Sequence, residues 1–511
     1  MVIEKITGMT FRIDRILGDR PFAEAGDPVL AVTDERRGLL AVAGAHESGG
    51  PAPVGVYRTD DLACRALHRS RHPVHAMAFH PTLPLLVVGT GRYDGGYFFE
   101  GELLLLDLGT GALTSLIEHG LGRQILGLTW VNEQELRVLT APPDDWQDRA
   151  AHIEGHVAHL VRPDWRAVPA RSVTPHDLAG PRLAAPRPDG REEARRAVSG
   201  ISADWDPRRN VRAVQELSDG RILTTRDGVQ LECWLPSGER QWSVPDDEGG
   251  RDIVVAADEQ SAWVGLVRPS WEGCPQSVVR LSLQEGARLA HLQPSAPVSV
   301  VRCADGLPAF APAGRNGRRS RLHIRGGSRT YFRATLRKDG KRNPGGGEAW
   351  LAAVDQGVVP TAERPREPLE AEARRLFPYS WIPGETHFAG PGVEVADGSL
   401  VHAGTVYNGH GLQPGGSFVV RREMTAGQPS WVFRSDRPAT DLDCDTATGT
   451  VHVTYDDGEI IALDLRDGTV RRRRHLTVGG VVVVPTALTV AGPGRLLIGT
   501  DDGRLLDCSA G

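Results

Sequence analysis

Hydrophobic and polar residues alternate along most of this chain in short runs, and turn residues separate the runs at regular spacing. Between 74 and 119 the chain reads VHAMAFHPTLPLLVVGTG, a loop, then GELLLLDLGTGALTSLIEH. That is an alternating segment, a tight turn at 80–84, a second apolar segment, a long loop and a third apolar segment. A turn at 107–111 then leads into a fourth. Alternation with period two, punctuated by Gly, Pro and Asp, predicts short β-strands in an antiparallel meander.

The cycle recurs. TVHVTYDDGEIIALDLRDGTVRRRRHL at 450–476 repeats it with Asp-Asp-Gly and Arg-Asp-Gly turns, and RLLIGTDDGRLLDCSAG follows at 495–511. RILTTRDGVQLECWLPSGERQWSV at 221–244 and PVLAVTDERRGLLAVAG at 28–44 are further copies. Glycine at these turns supplies the positive φ that a tight hairpin needs. About nine such units begin near Val29, Val74, Ile125, Val211, Asp252, Val298, Val393, Asp441 and Val483, the one at Val298 being weak. A four-stranded unit cannot bury both its faces alone, whereas radial stacking covers both and leaves short edges. The expected fold is therefore all-β: a single β-propeller domain over 1–511, of about eight blades within a range of seven to nine, each of four antiparallel strands. The unit at Val483 runs out after three strands, and 10–17 (TFRIDRIL) alternates without a unit of its own. The N-terminal strand is expected to supply the missing strand and close the ring.

Two segments interrupt the meander. The range 175–208 is rich in Pro, Arg and Ala and includes a helical stretch at 191–198. The range 343–388 contains Leu369, Ala373, Leu376 and Phe377 at i, i+4, i+7 and i+8, which predicts an amphipathic helix over 367–377 packed on the flank.

The phrasing of LLLLDLGTGAL (103–113) and VTYDDGEIIALDLRDGTV (453–470) resembles the WD-repeat and quinoprotein-like propeller superfamily. The likeness is at the level of the repeat and implies a fold rather than an activity. No Gly-His opens a unit, and the Trp205-Asp206 pair precedes a unit instead of closing a third strand. No quinone-binding residues are identifiable, and no cofactor is expected.

Composition narrows the setting. Basic residues are arginine apart from Lys5, Lys338 and Lys341, and the net charge is −6, which argues against a globally nucleic-acid-binding surface. The first residues have no basic n-region followed by an apolar stretch, and no apolar run approaches the ~18 residues of a membrane span. Cys64, Cys233, Cys274, Cys303, Cys444 and Cys508 are scattered and form no metal-ligand spacing. The expectation is a cytoplasmic, monomeric protein with no membrane association and no bound metal.

Candidate chemistry concentrates in one class of loop. The first hairpin turns are tight, but the connections between second and third strands are long: 46–53, 91–101, 141–155, 267–276, 311–320 and 405–416. In a propeller these six project from one face, and they carry Tyr93, Tyr97, Phe98, Phe99, Trp146, Trp271 and Tyr407, with His410 beside them. Aromatic clusters in a polar surround are typical interface anchors, so the leading reading is a non-enzymatic scaffold that binds a protein partner on this face. The alternative is a propeller enzyme (hydrolase, lyase or oxidoreductase) using His46, Asp94, Glu100, Asp144, Asp145, His152, His156 and His410 at the channel mouth. No nucleophile elbow or HExxH spacing accompanies them. A third reading is a polyanion or nucleic-acid binder. It rests on the basic stretch 315–342, where Arg321, Arg325, Arg329, Arg333 and Arg337 mark a basic stripe, and on Arg471 to Arg474.

Overall fold

In a computed structural model, the chain is a series of short antiparallel strands joined as meanders. The structure describes residues 11–45, 52–267 (except 119, 121, 147, 188, 247 and 248), 275–292, 298–302, 308–312, 321–324, 332–335, 347–352, 373–379, 391–407, 412–423 and 429–510. Two compact units divide it: Arg20–Pro207, and Met1–Asp19 together with Arg208–Gly511. Nine four-stranded sheets are present among the described residues.

Arg20–Pro207 holds three of these sheets. The first contains Pro28–Asp34, Leu39–Gly44, Ala52–Arg58 and Cys64–Ser70. The second contains Val74–Phe79, Leu85–Thr90, Leu103–Asp107 and Leu113–Ser115. The third contains Ile125–Trp130, Glu135–Thr140, Glu154–Val161 and Arg182–Ala184. The LLVV and LLLL runs of the middle sheet show why the sheets stack. Alternate side chains leave opposite faces of a strand, so Leu86, Val88, Leu104 and Leu106 pack with Val54, Val56 and Met77 on one side. Leu85, Val87, Leu103 and Leu105 pack with Ile125, Val138 and Leu160 on the other. A sheet buried on both faces needs continuous apolar strands, which these runs supply. Gly89 permits the close approach: a Cβ there would lie 2.4 Å from Ile125 Cγ2. The expected helical stretch is present as Arg191–Ile201, which buries Ala194 and Val198, while Arg195 grips Asp27 through two hydrogen bonds of 2.9 and 3.0 Å.

The other unit begins its sheets at Val211, Gly250, Arg321, Gly392, Ala439 and Pro485, with a two-stranded pair Val298–Arg302 and Pro308–Pro312. Among the described residues, the range of the weak unit near Val298 holds this pair and, in a separate sheet, Arg321–Ile324 and Phe332–Thr335. The N-terminal strand Phe11–Leu17 pairs antiparallel with Leu505–Ala510, from Phe11 opposite Ala510 to Leu17 opposite Leu505, and completes the last sheet as expected. The same two-sided burial recurs here. Leu496 and Ile498 pack with Leu488 and Leu506, while Leu497 and Leu505 pack with Val211, Val214 and Ile222. Gly499 repeats the role of Gly89, with Val211 Cγ1 2.3 Å from where a Cβ would stand.

One local expectation fails. Ala373–Tyr379 is a strand paired with Gly347–Ala352, not the end of an amphipathic helix over 367–377. The apolar spacing at 369–377 fits a helix, but pairing with a neighbouring strand overrides it, as tertiary context commonly does for short segments. The two strands of this pair fall within the range 343–388. No described helix is long and apolar enough to cross a membrane, and the described cysteines Cys64, Cys233, Cys444 and Cys508 are not in disulfides.

Two polar networks bind the larger unit. Asp441, Asp443 and Asp445 alternate along one strand, and each sends Oδ2 to a backbone N–H of the next sheet: Leu488 at 2.6 Å, Val490 at 2.8 Å and Gly494 at 2.7 Å. Glu232 is fully buried and accepts from Arg208 at 2.5 Å, Thr224 Oγ1 at 2.9 Å and Trp234 Nε1 at 3.1 Å, with Arg226 at 3.4 Å. Burial opposes its charge, but Arg208 and Arg226 outweigh that and hold the carboxyl below its usual range.

Candidate functional site, an aromatic platform on two loops

The connection between Leu85–Thr90 and Leu103–Asp107 folds as its own small hairpin, in which Arg92–Tyr93 pairs with Phe99–Glu100. Asp94 shapes the turn: its Oδ1 accepts from the backbone N–H of Gly96 at 2.7 Å and of Tyr97 and Phe98 at 3.0 Å each. Burial works against its ionisation, but the N–H groups of Gly96, Phe98 and Tyr97 prevail and the carboxyl sits below its usual range. The neighbouring sheet contributes the loop 141–153. Phe98 bridges Asp144, Phe99 N donates to Pro143 O at 3.2 Å, and Asp145 N donates to Tyr97 O at 2.9 Å.

Side chains complete the joint. Asp145 Oδ2 accepts from the Tyr93 hydroxyl at 2.9 Å and lies 3.0 Å from His152 Nε2. The hydrogen bond to Asp145 pushes the Tyr93 phenol up to about 12, so at neutral pH it is a donor rather than a base. The Asp145 carboxyl is held below its usual range first by His152, then by Tyr93. Tyr93 and His152 both pack on Phe99, with ring centroids 5.2 Å away, and Arg187 lies over that ring at 5.0 Å.

The predicted aromatic residues on these two loops therefore sort into two groups. Phe99, expected on the surface, is fully buried with Ala141 and Ala151, and Tyr93 is half-buried beside it. These two rings fold back and cap the loop, because alternation along the hairpin sends one set of side chains inward. Tyr97 (50% exposed), Phe98 (39%) and Trp146 (59%) remain outside. Tyr97 and Trp146 come from different sheets, yet their rings meet with centroids 4.5 Å apart at 59°. Trp146 N donates to Asp144 Oδ1 at 3.1 Å, so both exposed rings stand on pinned backbone.

Among the described residues, the acidic and imidazole candidates Asp94, Glu100, Asp144, Asp145, His152 and His156 do not assemble as one constellation. Asp94 and Asp144 hold turns, and Glu100 pairs with Arg92 at 3.5 Å. His156 Nδ1 lies 3.0 Å from Gly180 O, away from the partner of His152. Among the described residues, Asp145, His152 and Tyr93 converge, in an arrangement that orients loops. Among the described residues, no group of three or more His, Cys, Asp or Glu side chains is placed to hold a metal ion.

Other predicted positions lie elsewhere. Tyr407 ends the strand Ser399–Tyr407, where it pairs with Leu412, so much of the connection 405–416 is an extended hairpin. Arg321 and Arg333 lie in paired strands, Arg321–Ile324 and Phe332–Thr335. Of the connection 311–320, Ala311 and Pro312 end the strand Pro308–Pro312, and 313–320 fall outside the described residues. Trp271, His410, His46, Arg325, Arg329 and Arg337 fall outside the described residues. The second arginine run is neutralised in part: Arg471 pairs with Asp464 at 2.7 Å and Arg473 with Glu459. Sequence reasoning missed the Asp145–Tyr93–His152 joint, since 52 residues separate Tyr93 from Asp145.

No family model matches the chain, and no curated protein matches it. Among solved structures, the RRP9 WD40 repeats are 9% identical with TM-score 0.42, covering 59% of this chain and 95% of that one. The C-terminal WD40 domain of Sif2 is 11% identical, covers 98% of each chain and has TM-score 0.29. A computationally designed protein, Ika8, is 12% identical with TM-score 0.28, covering 86% of this chain and 96% of that one. All three scores are below 0.5, so the assignment of this chain as repeated four-stranded antiparallel sheets rests on its own strand order and register.

Proposed function

We propose that the chain is a non-enzymatic interaction module of propeller type, its stacked sheets serving as blades, and that it holds a protein partner on Tyr97, Phe98 and Trp146. The observation that carries this reading is the contact of Tyr97 with Trp146, two large rings about half exposed and supplied by adjacent sheets. Stranding aromatic surface in water is unfavourable, and proteins that keep it there on fixed backbone use it as an anchor. Hydrogen bonds that hold the loops before binding reduce the entropy lost on association. Trp271, Tyr407 and His410, on the other unit, are proposed as further anchors of the same kind.

Affinity capture from cells with the native chain beside a Tyr97→Ala, Trp146→Ala double variant tests the proposal. Both side chains are exposed, so the variant is expected to fold, which circular dichroism and thermal melting check. The double variant is expected to lose specific partners. A folded variant that retains all of them overturns the reading.

A further inference from the structure

We infer that the Tyr97–Trp146 platform takes an extended, proline-rich segment that carries arginine or lysine; this rests on the interaction reading above. Three observations carry it. The first is that the backbone around the platform is already used. Tyr97 O accepts from Asp145 N at 2.9 Å, Phe98 O from Asp94 N at 2.9 Å and Phe99 O from Arg123 N at 3.0 Å. The N–H groups of Tyr97 and Phe98 are spent on Asp94, and that of Phe99 on Pro143 O. A partner strand that needs alternating donors and acceptors finds no edge here, which removes strand addition as the mode of binding.

The second observation is what remains open. Among the described residues, the Tyr97 hydroxyl and the Trp146 indole N–H have no protein partner, and each sits on a half-exposed ring. The platform thus offers apolar planes and donors. A polyproline II segment has the complementary chemistry: its carbonyls are unbonded and its prolines carry no N–H. Pyrrolidine rings pack on aromatic planes, and a pre-extended segment loses little entropy on docking.

The third observation is charge. Asp94, beside Tyr97 in the turn, and Asp144, which caps Trp146 N, have no salt bridge among the described residues. Of the nearby cations, Arg92 is paired with Glu100 and Arg182 with Asp148 and Glu154, while Arg123 and Arg187 are held on the carbonyls of Gly122 and Ala151 rather than on Asp94 or Asp144. A basic side chain in the segment would gain from these carboxylates and from the face of Trp146.

The test uses the full chain and three fluorescein-labelled twelve-residue peptides, (Pro-Pro-Arg)4, (Gly-Ser-Arg)4 and (Pro-Pro-Glu)4, read by fluorescence anisotropy. The Pro-Pro-Arg peptide is expected to bind about tenfold or more tightly than either of the others. Trp146→Ala is expected to weaken it about tenfold. Asp94→Asn, which retains the turn-holding oxygen, is expected to weaken it about threefold and to reduce its salt dependence. Equal binding of the Gly-Ser-Arg peptide, no binding of Pro-Pro-Arg, or full binding by a folded Trp146→Ala variant overturns the inference. If cellular partners depend on Tyr97 and Trp146 while the Pro-Pro-Arg peptide does not bind, this inference fails and the interaction reading stands.

Discussion

The Tyr93 hydroxyl donates to Asp145 at 2.9 Å and so ties the long loop of one sheet to the long loop of the next. The exposed rings Tyr97 and Trp146 stand beyond this joint, each within a few residues of it. Their mutual position depends on two loops keeping one register.

Replacing Tyr93 with phenylalanine removes that hydrogen bond and leaves the ring on Phe99. The thermal melting temperature is expected to change little, because the lost hydrogen bond is only part-buried and the ring keeps its place on Phe99. Partner capture by the platform is expected to fall about three- to tenfold as the loops lose preorganisation. Hydrogen exchange at the amides of Tyr97 and Asp145 should rise in the same variant, and unchanged exchange there would show that the joint does not order the loops.

Glu232 is the shared acceptor of several buried donors, two of them arginines. Glu232→Ala leaves these charges in the interior without their carboxylate, a change that typically costs about 3–5 kcal/mol. Urea denaturation is the measurement, and a loss below about 1 kcal/mol would mean that the arginines find other partners.

Asp443 Oδ2 accepts from Val490 N at 2.8 Å while its Oδ1 accepts from Cys444 N at 2.8 Å. Asp443→Ala removes the acceptor of a part-buried backbone N–H at the junction of two sheets, with an expected cost of about 1 kcal/mol. Alanine at Asp441 should behave alike, since its Oδ2 meets Leu488 N in the same way at 2.6 Å.

Burial lowers His452 to about 4, with Arg471 adding to the effect and Asp445 opposing it. The unfolded chain binds this proton near the ordinary value of about 6.5, and the folded chain does not until about 4. The contribution of neutral His452 is therefore complete above pH 6.5 and is lost as pH falls toward 4. Between pH 6.5 and 5 the loss is about 2 kcal/mol. His402, fully buried and also depressed first by burial, adds to the slope in the same sense. Asp445 acts lower: its depressed carboxyl contributes above its unfolded value and loses that contribution only as pH falls through its folded one. Urea midpoints at pH 7 and pH 5 should differ less in His452→Gln than in the native chain.

The strands were legible because their pattern is local. Runs such as LLVV at 85–88 and LLLL at 103–106 can be satisfied only by burial on both faces, so four-stranded units stacked on one another follow from them. The N-terminal strand was legible for the same reason: its alternation had no local partner, and the last unit lacked a strand. The segment 373–377 misled because a few apolar residues suit either period, and a neighbouring strand decided it. Which of the loop aromatics would be exposed was not legible. Phe98 and Phe99 are adjacent and chemically identical, and only the pleat of the hairpin and the packing of His152 and Arg187 on Phe99 send one inward.

The sequence by itself determined the strand units and their turns, since each follows from spacing along a few residues. Tertiary structure alone decided that Tyr97 and Trp146 form one platform, that Tyr93 and Phe99 support it from beneath, and that Asp145 joins the two loops. Those relations depend on side chains from different sheets meeting within a few ångströms, and such distances are set by sheet stacking rather than by any local pattern.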